Sequence, residues 1–171
     1  MKYMIISDIH GDIYNLNKVL DIYVKEHCNK LIILGDLFNY GIDLNREDII
    51  NRLNLMKENI IYVRGNCDNN INGILFDAPY TKEIKIYNKN VLLTHGHLYN
   101  KNYLLGSNYD IIISGHTHVS CIEKEHDKLF INPGSISKAR RGENSFIILN
   151  NNNLHLKNID NEIILESNLN I

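Results

Sequence analysis

The sequence predicts an α/β fold: a sandwich of two mixed β-sheets flanked by helices. Two observations predict it. In the first half of the chain, short unbroken apolar runs alternate with amphipathic stretches. In the second half the runs come in close pairs joined by Asn- and Asp-containing turns. The first pattern makes parallel βαβ units and the second makes hairpins, and stacking two sheets accommodates both. The 171 residues supply material for one compact domain, read as 1–171, with no repeat or linker dividing it.

Each element has its own local signature. "KYMIIS", "KLIILG" and "NIIYVRG" end in Gly or a polar turn and read as parallel strands buried on both faces. Between the first two, Ile13, Leu16, Val19, Leu20, Tyr23 and Val24 recur at helical spacing behind Asp12, a candidate N-cap. Ile49, Ile50, Leu53 and Met56 repeat the pattern before the third strand, behind Asn45 and Asp48. "KEIKIYNKNVLLTHGH" reads as a hairpin turning at Asn88 to Asn90. Ile111, Ile112 and Ile113 form a buried strand that leaves the sheet at Gly115. "SCIEKEHDKLFINPGS" turns near Asp127, and "NSFIILNNNNLHLKNI" turns at Asn150 to Asn153. The tail from Asn161 reads equally as strand, helix or frayed end.

Composition excludes several classes. A net charge of -2 leaves no basic footprint, so sequence-specific nucleic-acid binding is not expected. Cys28, Cys67 and Cys121 are odd in number and scattered, which argues against a disulfide framework and for a reducing, cytoplasmic compartment. The N-terminus reaches acidic residues within a few positions, so no signal peptide is expected, and no apolar run approaches the roughly 20 residues of a membrane span.

The chemistry is announced at the ends of the strands. Asp8 and His10 come after the first, Asp36 after the second, Asn66 and Asp68 after the third. His95 and His97 come after "VLLT", and His116 and His118 after "IISG". In an extended loop His116 and His118, two residues apart, would point their imidazoles to the same side. Ligands collect at the carboxyl ends of strands in such folds, so these residues should converge. Singly, each has an ordinary reading: Asp8 and Asp36 as turn formers, Asn66 in an Asx-turn, the histidines as hydrogen-bonded polar groups. Five strand ends carrying metal-competent side chains together point to a metal site. Asp8, His10, Asp36, Asn66, His95, His116 and His118 are too many for one ion and suit two. Carboxylate, amide and imidazole without thiolate disfavour structural zinc and suit Mn²⁺, Fe or catalytic Zn²⁺. A carboxylate shared between two ions would fix their spacing, and Asp36 is the natural candidate. His27, His126 and His155 fall at helix-end and hairpin positions and read as surface residues.

In this order, "DIHGD", "LGDLFNYG", "RGNCD", "LTHGH", "SGHTH" and "INPGS" resemble the motifs of the calcineurin-like metallophosphoesterases, and among them the small YfcE-like phosphodiesterase branch. The resemblance runs from Asp8 to Ser135. It implies the metallophosphoesterase β-sandwich and two divalent metal ions, Mn²⁺ first, with Zn²⁺, Fe or Ni²⁺ as alternatives. One ion would be held by Asp8, His10, Asp36 and His118, the other by Asp36, Asn66, His95 and His116. The implied activity is hydrolysis of small phosphodiesters by a water that the two ions activate. A phosphomonoesterase acting on a nucleotide or small metabolite, and a catalytically weak scaffold like the retromer subunit, are the alternatives. The implied partners are a small phosphoester substrate and further copies of the chain, in a dimer or tetramer, and no membrane.

Departures from the family pattern matter. The superfamily often carries His after "GN", able to protonate the leaving group, whereas Cys67 stands here. His97 is the candidate for binding the phosphate or giving a proton, and Asn66 for binding substrate as well as metal. Asp68 reads as a helper that orients a ligand, or equally as a turn cap. Tyr40 stands where a His is common in relatives, altering the rim of the site. Arg140 or Arg141 could steer an anion, or be no more than a solvated charge run.

Overall fold

A computed structural model describes residues 1–40, 43–68, 78–99 and 101–169. The strands are β1 (Lys2–Ile6), β2 (Lys30–Ile33), β3 (Ile60–Tyr62), β4 (Thr81–Ile86), β5 (Lys89–Thr94), β6 (Ile111–Ile113), β7 (Cys121–Glu125), β8 (Lys128–Asn132), β9 (Ser145–Asn150), β10 (Asn153–Asn158) and β11 (Ile163–Asn168). The helices are α1 (Ile13–Lys25), α2 (Arg46–Asn54) and the short α3 (Lys101–Leu105). Six strands form one sheet in the order β11-β10-β9-β1-β2-β3, and five form the other in the order β4-β5-β6-β8-β7. Both sheets are mixed. β1, β2 and β3 run parallel with β9 antiparallel beside β1, and β5, β6 and β8 run parallel with antiparallel edges β4 and β7.

Strand alternation assigns each apolar side chain to a layer. Met4 and Ile6 of β1, with Leu31 and Ile33 of β2, face the helices, where Leu16, Val19, Leu20, Ile49 and Leu53 meet them. Tyr3, Ile5 and Ile32 point the other way, against Val91, Leu93, Ile111, Ile113, Leu129 and Ile131 of the second sheet. Period-2 alternation of an all-apolar strand thus fills two cores at once. Burial of each such side chain contributes roughly 1.5–3 kcal/mol. A smaller cluster of Leu92, Ile112 and Phe130 on the outer face of the second sheet is covered by Leu104 of α3.

Local details refine the sequence reading. Asp12 caps α1 as expected, its carboxylate accepting from the Asn15 amide. Ile22 is buried in place of Val24, which is 67% exposed. Met56 lies beyond the end of α2 and packs there as a partly buried residue. The first hairpin turns at Tyr87 and Asn88, one residue earlier than the spacing suggests, with Ile86 paired to Lys89 and both turn residues at positive φ (46° and 67°). The Tyr87 hydroxyl bonds the Met1 carbonyl and accepts from the Asn151 amide, which anchors that register. The tail resolves as edge strand β11, antiparallel to β10. Its last two positions lie outside the described residues.

Candidate metal centre

The parallel strands of both sheets end at one side of the molecule, and the loops after them are laced together by backbone bonds. The amides of Ile9 and His10 donate to the Asp36 carbonyl, Gly11 to Leu37, Asp8 to Gly35, and Gly115 to His95. Asp8, His10, Asp36, His116 and His118 all hold left-handed backbone, with φ of 56°, 47°, 53°, 68° and 58°. That conformation costs roughly 1–2 kcal/mol per non-glycine residue, so the lacing must over-determine it. The Ser135 and Ser137 hydroxyls do so at Asp8, donating to its carbonyl at 2.8 and 3.0 Å. Gly65 lets two loops meet: a Cβ there would lie 2.4 Å from the Asp36 amide nitrogen and 2.1 Å from its Oδ1.

The loop that carries the histidine pair is left-handed at both residues rather than extended. The His118 ring lies 4.9 Å from that of His10, while His116 sits edge-on to His95 at 5.1 Å. One imidazole therefore enters each half of the site. In the first half, His118 Nε2 is 3.2 Å from both His10 Nε2 and Asp8 Oδ1. In the second, His95 Nε2 is 3.2 Å from Asn66 Oδ1 and 3.4 Å from Asp36 Oδ2. His10 Nε2 is 3.8 Å from both Asp8 Oδ1 and Asp36 Oδ2, which joins the halves. Among the described residues, three-ligand groups able to hold a cation are Asp8, His10 and His118, and Asp8, Asp36 and His95. His10, Asp36 and Cys67 form a third.

The placement of protons in the cluster suits cations. His95 Nδ1 donates to the Leu34 carbonyl at 2.6 Å and His118 Nδ1 to that of Lys138 at 2.7 Å. In the neutral tautomer each Nε2 is then a lone pair aimed at carboxylate, amide or imidazole lone pairs. Asp8 Oδ1 is fully buried with no hydrogen-bond partner. Converging acceptors without protons between them are relieved by a cation, so the donor set fits divalent metal.

Ionisation agrees. Burial raises the Asp36 carboxyl, but His95 and the Cys67 amide outweigh it and hold the group at about 2. His10, His97 and His116 are lowered, chiefly by burial, and stay neutral. At His95 burial opposes protonation, yet Asp36 raises it, while at His118 the adjacent Asp8 carboxylate is the main raising cause; both rises register negative charge that a cation would answer. Cys67 is pushed up to about 12, by burial first and then Asp36, so its thiol stays protonated and is a poor ligand.

His97 stands at the edge of the cluster, its ring 5.4 Å from His95, 6.2 Å from His116 and 5.8 Å from Tyr80. Asp68 lies beneath the site, fully buried, and accepts from the amides of Asp36, Leu37 and Gly65 and from the Tyr62 hydroxyl at 2.7–2.9 Å. It orients the Asp36 loop and caps the turn at Gly65 at once. Arg140 donates its amide to the His118 carbonyl, and Lys138 reaches across to Asn39. Tyr62, Ser137 and Asn39, whose amide holds the His10 carbonyl, were invisible in the sequence because nothing about their spacing marks them.

The fold and this cluster define a class. Residues 1–153 match the calcineurin-like phosphoesterase superfamily domain, and the chain belongs to that superfamily. It is by class a metal-dependent phosphoric ester hydrolase. Among named relatives, phosphodiesterase YfcE of Escherichia coli K12 is 31% identical over 176 aligned residues, 96% of each chain. The solved structure of that E. coli phosphoesterase superposes with a TM-score of 0.90 at 31% identity, covering 99% of this chain and all of that one. Phosphodiesterase MJ0936 of Methanocaldococcus jannaschii is 28% identical over 78% of this chain and 83% of its own. Zinc-complexed Vps29 of Entamoeba histolytica, at 23% identity and a TM-score of 0.72 over 99% of this chain and 100% of that chain, shares the fold.

Proposed function

We propose that the protein hydrolyses small phosphodiesters with two divalent cations, Mn²⁺ by preference and Zn²⁺, Fe or Ni²⁺ in its place. In this reading Asp8, His10, Asp36 and His118 hold one ion, and Asp36, Asn66, His95 and His116 hold the other. The single observation that carries it is the convergence of imidazole nitrogens with carboxylate and amide oxygens across both halves of the cluster, with Asp8 Oδ1 buried and without a hydrogen bond. Bound there, the ions supply Lewis acidity to phosphoryl oxygens and to water at neutral pH. Asp36, ionised down to about 2, stands where both halves can share it. Asn66 adds a neutral donor and so leaves positive charge uncancelled for an anionic substrate. His97, neutral and with its Nδ1 buried and unpartnered, is the candidate to contact the phosphate. Cys67 keeps its proton too tightly to serve an alkoxide leaving group well, so esters with good leaving groups are favoured. We read the compartment as cytoplasmic on the three unpaired cysteines.

The test is hydrolysis of bis-p-nitrophenyl phosphate by chelator-stripped protein as Mn²⁺ is added back, with p-nitrophenyl phosphate beside it. Metal-dependent cleavage with the diester preferred by about tenfold or more, a difference of ~1.4 kcal/mol in barrier, is expected. A faster monoester reassigns the enzyme to phosphomonoesters. No metal-dependent cleavage of either overturns the reading.

A further inference from the structure

The site's mouth carries a hydroxyl that the proposed function leaves without a role. Tyr40 sits in the loop after β2 and is 69% exposed, yet its hydroxyl oxygen lies 2.6 Å from Asn66 Nδ2. The other end of that amide, Oδ1, faces His95 Nε2. An amide nitrogen only donates, so the phenol oxygen accepts, and Tyr40 keeps its own proton for a third group. Its neighbour is the Cys67 sulfur, itself 3.4 Å from Asn66 Nδ2, and sulfur is a weak acceptor that an anionic oxygen would displace from the hydroxyl. An O–H donor is therefore anchored through its oxygen, one side chain from the Asp/His cluster, and open to solvent. An anionic oxygen is the acceptor that matches it.

We propose that Tyr40 binds the substrate's phosphate, its hydroxyl donating to a phosphoryl oxygen while Asn66 holds the phenol in place. The proposal rests on the assignment of the cluster to phosphoester chemistry. Asn66 thus links a donor set that would face metal to a donor that faces substrate, and Tyr40 becomes a catalytic residue in the sense of touching the reacting group.

Tyr40→Phe removes the hydroxyl and leaves an exposed ring, so folding is not at stake. Inorganic phosphate is titrated calorimetrically into Mn²⁺-loaded wild type and variant, and Mn²⁺ into the metal-free forms. The variant is expected to bind phosphate about tenfold more weakly, with Mn²⁺ affinity unchanged and a matching loss in kcat/KM for bis-p-nitrophenyl phosphate. Equal phosphate affinity in the two proteins overturns the proposal. So does a fall in Mn²⁺ affinity large enough to explain the whole effect, because Tyr40 would then act only by holding Asn66. Weaker phosphate binding by the variant, in a protein whose wild type cleaves neither ester, would support the Tyr40 contact and sink the phosphodiesterase reading.

Discussion

Asp68 is fully buried beneath the site, and three backbone amides and a phenol converge on its two oxygens. Its worth lies in holding residues 36 and 37 in the shape that aims Asp36, whose own backbone is left-handed. Replacing it by Asn sets an amide NH₂ against donors, a mismatch worth about 2–3 kcal/mol in a buried site. Asp68→Asn should lower unfolding free energy by that amount and weaken Mn²⁺ binding about 10- to 100-fold, read by denaturant melts and calorimetry. Unchanged metal affinity would show that the loop keeps its shape without the carboxylate. The convergence of Asp8, His10, Asp36, Asn66, His95, His116 and His118 was legible because each comes just after a strand and parallel strands end together. The division of the two imidazoles in "GHTH" between the halves was legible only through the family resemblance, since it depends on a left-handed backbone imposed from outside the loop.

At the scale of elements, apolar runs marked the strands because burial on one or two faces leaves period 2 or an unbroken stretch as its trace. Turns were legible to within a residue. Asn151 and Asn152, both at positive φ (48° and 69°), join β9 to β10 as a two-residue turn, and the sequence marks it plainly with asparagines. Tyr87 in the β4–β5 turn carries no such mark, because an aromatic is held left-handed there by hydroxyl bonds to Met1 and Asn151, far away in the chain. Asn152→Gly removes left-handed strain from a turn whose backbone pattern favours Asn-Gly. It should stabilise by about 0.5–1 kcal/mol and raise Tm by roughly 1–3 °C in a thermal melt. A lowered Tm would mean that the Asn152 side chain contributes more than its backbone strain costs. β11 was ambiguous in the sequence: its Ile163, Ile164 and Leu165 are all exposed by 44% or more, so neither a period-2 nor a helical face is imprinted on it.

Across the whole molecule, Glu26 at the end of α1 ties distant segments together. It bonds Lys2 of β1 at 2.6 Å, Lys157 of β10 at 3.1 Å and Asn161 at 3.4 Å. Lys2 first, then Lys157 against the opposing effect of burial, lowers its carboxyl from 4.5 to about 2. A depressed folded-state pKa gives stability that is present above about 4.5 and lost as pH falls toward 2. Partly exposed, the group should account for about 1–2 kcal/mol, and Glu26→Gln should flatten the stability profile across that window in urea melts. An identical acid limb in both proteins would dismiss the network. By itself the sequence determined the sandwich of mixed sheets, the strand ends that bear the polar cluster, the family motifs and the helix cap at Asp12. These are written locally, in periodicity and in the residues just past each strand. Only the tertiary structure decided which donors serve Asp68, that Tyr40 meets Asn66, where Glu26 finds its lysines and that the tail becomes a strand. Those pairings join residues up to 135 positions apart, and their partners are chosen by packing in space rather than by spacing along the chain.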